Sequence, residues 1–187
     1  MPMRELHIAA FAVFALACAT PAQAQSPYGI GRSATPAEIA GWNIDVDRNG
    51  NGLPPGSGSV SRGREIFDDQ CAACHGARGE GGVGDRLAGG QNTLATPKPV
   101  RTVGSYWPYA PTLFDYIRRA MPQNAPQSLS NDDVYAVSGY ILKLNGLLPA
   151  DATLDARTLG AIKMPNRRMF VDDPRPDVKN PACMTGC

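Results

Sequence analysis

One pentapeptide constrains this chain more than any other feature. Residues 71–75 read Cys-Ala-Ala-Cys-His, the C-x-x-C-H pattern to which haem of the c type is attached. The spacing has a chemical reason. Two thiols three residues apart on one helical turn reach both vinyl groups of the macrocycle. The next residue aims its imidazole at the iron from the same side. Three other uses of the motif compete. A dithiol redox site needs a thioredoxin-like alternation of strands and helices, and no strand-like run flanks Cys71. A zinc site needs four ligands, which could only be Cys71, Cys74, Cys183 and Cys187 or three of these with His75, and nothing in the sequence pre-arranges the distant pair. A structural disulfide would leave the histidine without a role. Covalent haem attachment uses all five positions and is the expectation.

The N-terminus fits that chemistry. Ile8 to Cys18 is an apolar run of 11 residues, shorter than the ~20 needed to span a bilayer. Ala22-Gln23-Ala24 is a small-x-small cleavage site. Residues 1–24 therefore read as a signal peptide, and the mature chain is expected in the periplasm, where c-type haem is attached after export. A lipid anchor on Cys18 normally wants Leu three residues earlier, where Ala15 stands. No later segment has the length or apolarity of a membrane span. Cleavage removes His7 and Cys18, leaving Cys71, Cys74, Cys183, Cys187 and one histidine, His75.

That count restricts the iron's ligands. A haem that only transfers electrons has two protein axial ligands. His75 supplies one, and ligation by two histidines of this chain is ruled out. Methionine is the obvious sixth ligand, and the mature chain offers Met121, Met164, Met169 and Met184. Met121 follows a helical stretch, Thr112 to Ala120, with Leu113, Tyr116, Ile117 and Ala120 at helical spacing and Thr112-x-x-Asp115 reading as a capping box. Pro122 ends that helix and places Met121 at the head of an irregular loop. Met164 also precedes a proline and is the second candidate. In Arg101 to Ala110, the residues Arg101, Ser105, Tyr106 and Trp107 are candidate donors to haem propionates, since buried carboxylates need partners.

Helix signals place the motif on a fold. Ser61 to Gln70 reads as a helix running into the attachment site, with Gly63, Phe67 and Cys71 at four-residue steps on one face. Ser130-x-x-Asp133 reads as a capping box, Val134, Val137, Ile141 and Leu144 form an apolar stripe, and Asn145-Gly146 is a glycine stop. Gly63 allows these helices to cross closely, with Tyr140 against Phe67. The chain holds 20 glycines and 17 prolines, about a fifth of its residues against roughly 12% on average. Long loops between few helices follow, and long sheets do not. The 18 basic and 17 acidic residues leave a formal charge of +1, which supplies no basic field for nucleic acid.

The flanks are expected to be irregular. Residues 25–59 contain Thr35-Pro36-Ala37-Glu38, a capping box with Pro at the first helical position, opening a short helix to Trp42. Asp45 to Gly56 starts like a calcium loop, but Gly56 stands where the bidentate Glu belongs, so it reads as a turn. Residues 147–187 contain no long periodic segment. Cys183 and Cys187 flank Gly186 and invite a disulfide in an oxidising compartment.

In motif order, residues 60–146 resemble class I cytochromes c: Gly63 and Phe67, Cys-x-x-Cys-His, a glycine-rich turn, Met121-Pro122 and a last helix with Tyr140. The resemblance implies an all-α domain. Many class I proteins have a proline after the glycine-rich turn whose carbonyl orients the proximal imidazole; here the turn reads Gly81-Gly-Val-Gly-Asp-Arg-Leu87, without one. Further stretches resemble the cytochrome subunit of Sox-type sulfane dehydrogenase. They are Gly29-Ile-Gly-Arg32, Thr35 to Asp45, Gly52 to Gly58, Val103 to Ala110, Phe114 to Ile117, Ala120-Met-Pro122, Lys163 to Asn166 and the closing Cys-Met-x-x-Cys. That resemblance implies a molybdenum-cofactor sulfane or sulfite dehydrogenase subunit as electron donor and a soluble cytochrome c as acceptor. Such cytochromes often carry two haem domains, whereas this chain has one attachment motif, so a single haem c is expected. The competing expectations are an autonomous carrier to a terminal oxidase and, in the enzyme class, a haem peroxidase or ligand-binding cytochrome with an open iron position.

Overall fold

The computed structural model describes Tyr28 and residues 30–171. Residues 1–24, the expected signal peptide, as well as Met184, Cys183 and Cys187 and the disulfide expected between them, lie outside the described residues. The chain divides into two units, one up to Asn43 and one from Ile44 onward.

In the first unit, helix α1 spans Pro36–Trp42. Thr35 accepts from the Glu38 amide, and Glu38 in turn accepts from the Thr35 amide, the reciprocal cap expected from the sequence. Arg32 adds a bidentate pair with Glu38. These contacts hold the Glu38 carboxyl at about 2, well below its ordinary value. No residue of α1 is buried. Ile39 and Trp42 are exposed, as are Tyr28 and Ile30.

The second unit runs β1 (Ser57–Ser59), α2 (Val60–Gln70), α3 (Ala72–His75), α4 (Pro111–Ala120), α5 (Asn131–Leu144), β2 (Thr153–Asp155) and α6 (Ala156–Ala161). Its centre is the crossing of α2 with α5. Gly63 makes the crossing possible, because a Cβ there would run into the Ala136 carbonyl and lie 3.0 Å from Tyr140 Cβ. One turn on, the rings of Phe67 and Tyr140 meet with centroids 5.2 Å apart. Full burial of Phe67 contributes roughly 3 kcal/mol. Ser130 caps α5 through the Asp133 amide, and Gly146 follows its end at φ 73°. Both crossing helices thus lie where their periodicity and caps put them.

Helix α4 starts differently from its sequence signal. Pro111 occupies its first turn, Ala110 is the N-cap, and no side chain caps it. The Thr112 hydroxyl donates to the Tyr109 carbonyl, and Asp115 accepts from the distant Val46 amide. The Thr112-x-x-Asp115 capping box is therefore not formed.

The flank after residue 146 is more ordered than its composition suggested. Strand β2 pairs antiparallel with β1, setting Gly58 opposite Leu154, and this short sheet is added to the all-α plan. Leu154, Leu159 and Met164 are buried in the core, so the packed unit continues beyond residue 146. Before β1, Asp47 accepts from the Asn49 and Asn51 amides and from the Asn51 side chain. Its oxygens close the turn on itself, as expected of Asp45 to Gly56.

Candidate functional site

Helix α2 ends by handing its chain to the single turn α3. The Cys71 amide donates to Phe67 O, and the Cys74 and His75 amides both reach back to Cys71 O, at 3.1 and 3.0 Å. Cys71, Cys74 and His75 therefore share one turn. The two thiols are not bonded to each other. Burial, with the nearby charge of Asp69 a lesser cause, pushes the Cys71 thiol up to about 11. A dithiol oxidoreductase needs the opposite, a thiolate stabilised near neutral pH.

The loop after α3 folds under the histidine. The Gly81 amide donates to His75 O and the Gly84 amide to Cys74 O. Gly84 lies so close that a Cβ on it would stand 2.9 Å from His75 Cε1 and 3.0 Å from Nδ1. The next residue presents its backbone: His75 Nδ1 is 2.6 Å from the Asp85 carbonyl oxygen. A carbonyl can only accept, so Nδ1 is the donor, and in the neutral imidazole the lone pair then sits on Nε2. That arrangement is the one a metal-ligating imidazole requires. The donor set of two unpaired thiols on one turn and an imidazole with a free Nε2 fits a covalently attached haem.

Asn145 fastens this loop to the end of α5. Its amide donates to Leu87 O and Ile141 O, and its carbonyl accepts from the Gly89 amide. Sequence reasoning used Asn145 only as a helix stop and did not identify the Asp85 carbonyl. A backbone acceptor leaves no side-chain signature, and Asn145 bonds residues more than fifty positions away.

The methionines separate by environment. Met121 is the C-cap of α4, its amide donating to Ile117 O, and it is half-buried against the apolar core. Met164 is 3% exposed and fills the core. Met169 is exposed.

The four candidate propionate donors are not equivalent. Ser105 is buried; its hydroxyl donates to Val100 O and accepts from the Thr102 amide, so its proton is committed to its own loop. Arg101 is exposed and lies over the Tyr106 ring at 5.3 Å. Tyr106 also meets Phe170 edge-on. Trp107 is half-buried, packs on the core and meets Tyr116 edge-on at 5.9 Å. Beside it, a groove of about 310 Å³ is lined by Leu94, Pro99, Arg101, Tyr106, Met169 and Phe170, among others.

Known proteins place this geometry. The cytochrome c family model matches residues 60–145. No curated protein matches the chain. Among solved structures, it resembles a chain of the sulfane dehydrogenase SoxCD from Paracoccus pantotrophus. The identity is 43%, the TM-score 0.75, and the match covers 85% of this chain and 81% of that one. With its C-x-x-C-H turn, its carbonyl-held imidazole and its crossed helices, this chain belongs to the cytochrome c family, with the class I fold and the electron-carrying function of that family.

Proposed function

We propose that this chain is a periplasmic monohaem cytochrome c that passes single electrons, with His75 and Met121 as the residues that would ligate its haem iron, and that it serves as the cytochrome subunit of a molybdenum-cofactor sulfane or sulfite dehydrogenase in sulfur oxidation. Haem c supplies the one-electron ferric/ferrous couple. The chain supplies the rest. Cys71 and Cys74 tether the macrocycle, and the Asp85 carbonyl fixes the tautomer and direction of His75. Met121 would supply the second protein ligand, and an iron so held would have no position for a substrate. Its environment favours it over Met164, which the core already uses. The single attachment motif supports one haem. Of the four candidate propionate donors only Ser105 is committed to its own loop, which leaves Arg101, Tyr106 and Trp107.

The observation that carries the partner is the extent of the match. Cytochrome c itself accounts for residues 60–145, yet likeness to the SoxCD chain covers 85% of this one. Part of the flanks is therefore shared, and an autonomous carrier has no need of the exposed Tyr28, Ile30, Ile39 and Trp42 on the first unit. Exposed aromatic and apolar clusters are what interface anchors look like before docking. In the Ile44-onward unit, arginines lie over two of the tyrosines. Arg48 and Arg167 both lie over Tyr109, at 6.0 and 5.3 Å, and Arg101 lies over Tyr106. A soluble cytochrome c is the proposed acceptor.

Co-purification tests this directly. The native cytochrome should elute with a molybdenum subunit, and the purified subunit with its sulfur substrate should reduce the haem. A cytochrome that elutes alone, and that the molybdenum subunit neither binds nor reduces, would make it an autonomous carrier.

A further inference from the structure

Helix α4, which delivers Met121, is held on two sides. Leu113, Phe114 and Ile117 are buried in the core. A separate set of residues, Asp115, Arg118 and Arg119, reaches the segment Ile44–Val46, about seventy positions earlier in the sequence. Asp115 Oδ1 accepts from the Val46 amide at 3.1 Å. Arg119 Nε donates to both Asp115 oxygens at 2.9 Å, and its Nη2 reaches Asp45 Oδ1 at 2.6 Å. Arg118 Nη1 donates to Ile44 O at 3.3 Å. Val46 is 7% exposed and part of the core, so the strap that receives these bonds is itself anchored. The Asp115 and Arg119 side chains are 25% and 32% exposed, half-shielded from the screening that weakens surface pairs.

These contacts converge within two turns of Met121, which its amide bond to Ile117 O and the packing of its side chain on the core hold at the helix end. Helix ends fray unless tied down. A thioether that must stay on a metal needs its backbone held more firmly than a fraying last turn would hold it. We infer that Asp115 is a positioning residue for Met121. With Arg119 it pins the end of α4 to the Ile44–Val46 strap, and so sets how tightly the sixth ligand is kept in place. The inference rests on Met121 as the ligand. It gives the root of the N-terminal extension a role in the haem site.

Exogenous imidazole, which competes for the sixth position, reads the hold on Met121. In the ferric full-chain holoprotein, Asp115→Ala should bind imidazole about tenfold more tightly than wild type. Asp115→Asn keeps an acceptor for Val46 and should shift less. Arg119→Ala should move in the same direction, and it decides the matter if Asp115→Ala does not fold. Hydrogen exchange at the Arg118–Met121 amides should quicken in the same variants. Unchanged imidazole affinity and exchange in Asp115→Ala and Arg119→Ala overturn the inference while leaving Met121 as the ligand. If Met121→Ala itself binds imidazole no more tightly than wild type, the ligand reading has failed and the positioning role fails with it.

Discussion

At the scale of single residues, His75 shows how far a motif reaches and where it stops. The five residues from Cys71 to His75 state the attachment chemistry on sight, because each position has one chemical job. The orienting acceptor is invisible to the same reading. The Asp85 carbonyl belongs to the backbone, and only the folded loop brings it within 2.6 Å of Nδ1. Gly84 carries a prediction at this scale. Its missing side chain leaves room for the imidazole, and a methyl group would press on Cε1 and Nδ1 at about 3 Å. Gly84→Ala should tilt the ring away from the Asp85 carbonyl and weaken the basicity that the hydrogen bond gives the ligand. A higher reduction potential is the expected result in a spectroelectrochemical titration. An unchanged potential would mean that the loop yields without moving His75.

At the scale of elements, the crossing of α2 and α5 was legible and the start of α4 was not. Gly63, Phe67 and Tyr140 are read from helical spacing alone, and their packing follows from it. The Thr112-x-x-Asp115 pattern is equally clear as a cap, yet tertiary bonding overrides it: Pro111 already begins the helix, and the Val46 amide claims Asp115. A partner 69 positions away has no local signature. The ordering of residues 147–171 was hidden for a related reason. Leu154 and Leu159 belong to a three-residue strand and a six-residue helix, too short to show a period.

Helix α5 also carries a pH dependence. Tyr135 is fully buried against Phe114 and donates to Pro54 O at 2.8 Å. Burial, with the Asp155 charge a second cause and Arg118 opposing, raises its hydroxyl to about 12. The unfolded chain loses this proton near pH 10, the native chain about two units higher. Between those values the unfolded state binds fewer protons, so stability falls as pH rises. Chemical denaturation of wild type should show this loss from pH 10 to 12. Tyr135→Phe should flatten that limb and, at neutral pH, cost ~1 kcal/mol for the lost hydrogen bond. A limb identical in both proteins would assign the alkaline loss to other groups.

For the whole molecule, the class I plan was readable because the order of its signals survives in the chain: glycine and phenylalanine, attachment turn, glycine loop, Met-Pro, last helix. The proposed partner is less directly written, because an interface with another protein would leave only unexplained exposure behind it. Trp42 at 86% exposed, on a helix that buries nothing, is such a trace. Tryptophan is among the costliest side chains to leave in water and among the commonest anchors of interfaces. Trp42→Ala should therefore leave the haem spectrum unchanged and weaken association with the molybdenum subunit by at least tenfold in a titration. Equal affinity in the variant would remove this helix from the interface.

Ligation of the haem iron by His75 and Met121, both from this chain, would be read in the absorption spectrum of the purified ferric protein. A low-spin spectrum with a thioether-to-iron charge-transfer band in the far red is predicted. The band should be lost in Met121→Ala and retained in Met164→Ala. A high-spin ferric spectrum in the wild type would mean an open iron position, and a band that survives Met121→Ala and disappears in Met164→Ala would make Met164 the ligand.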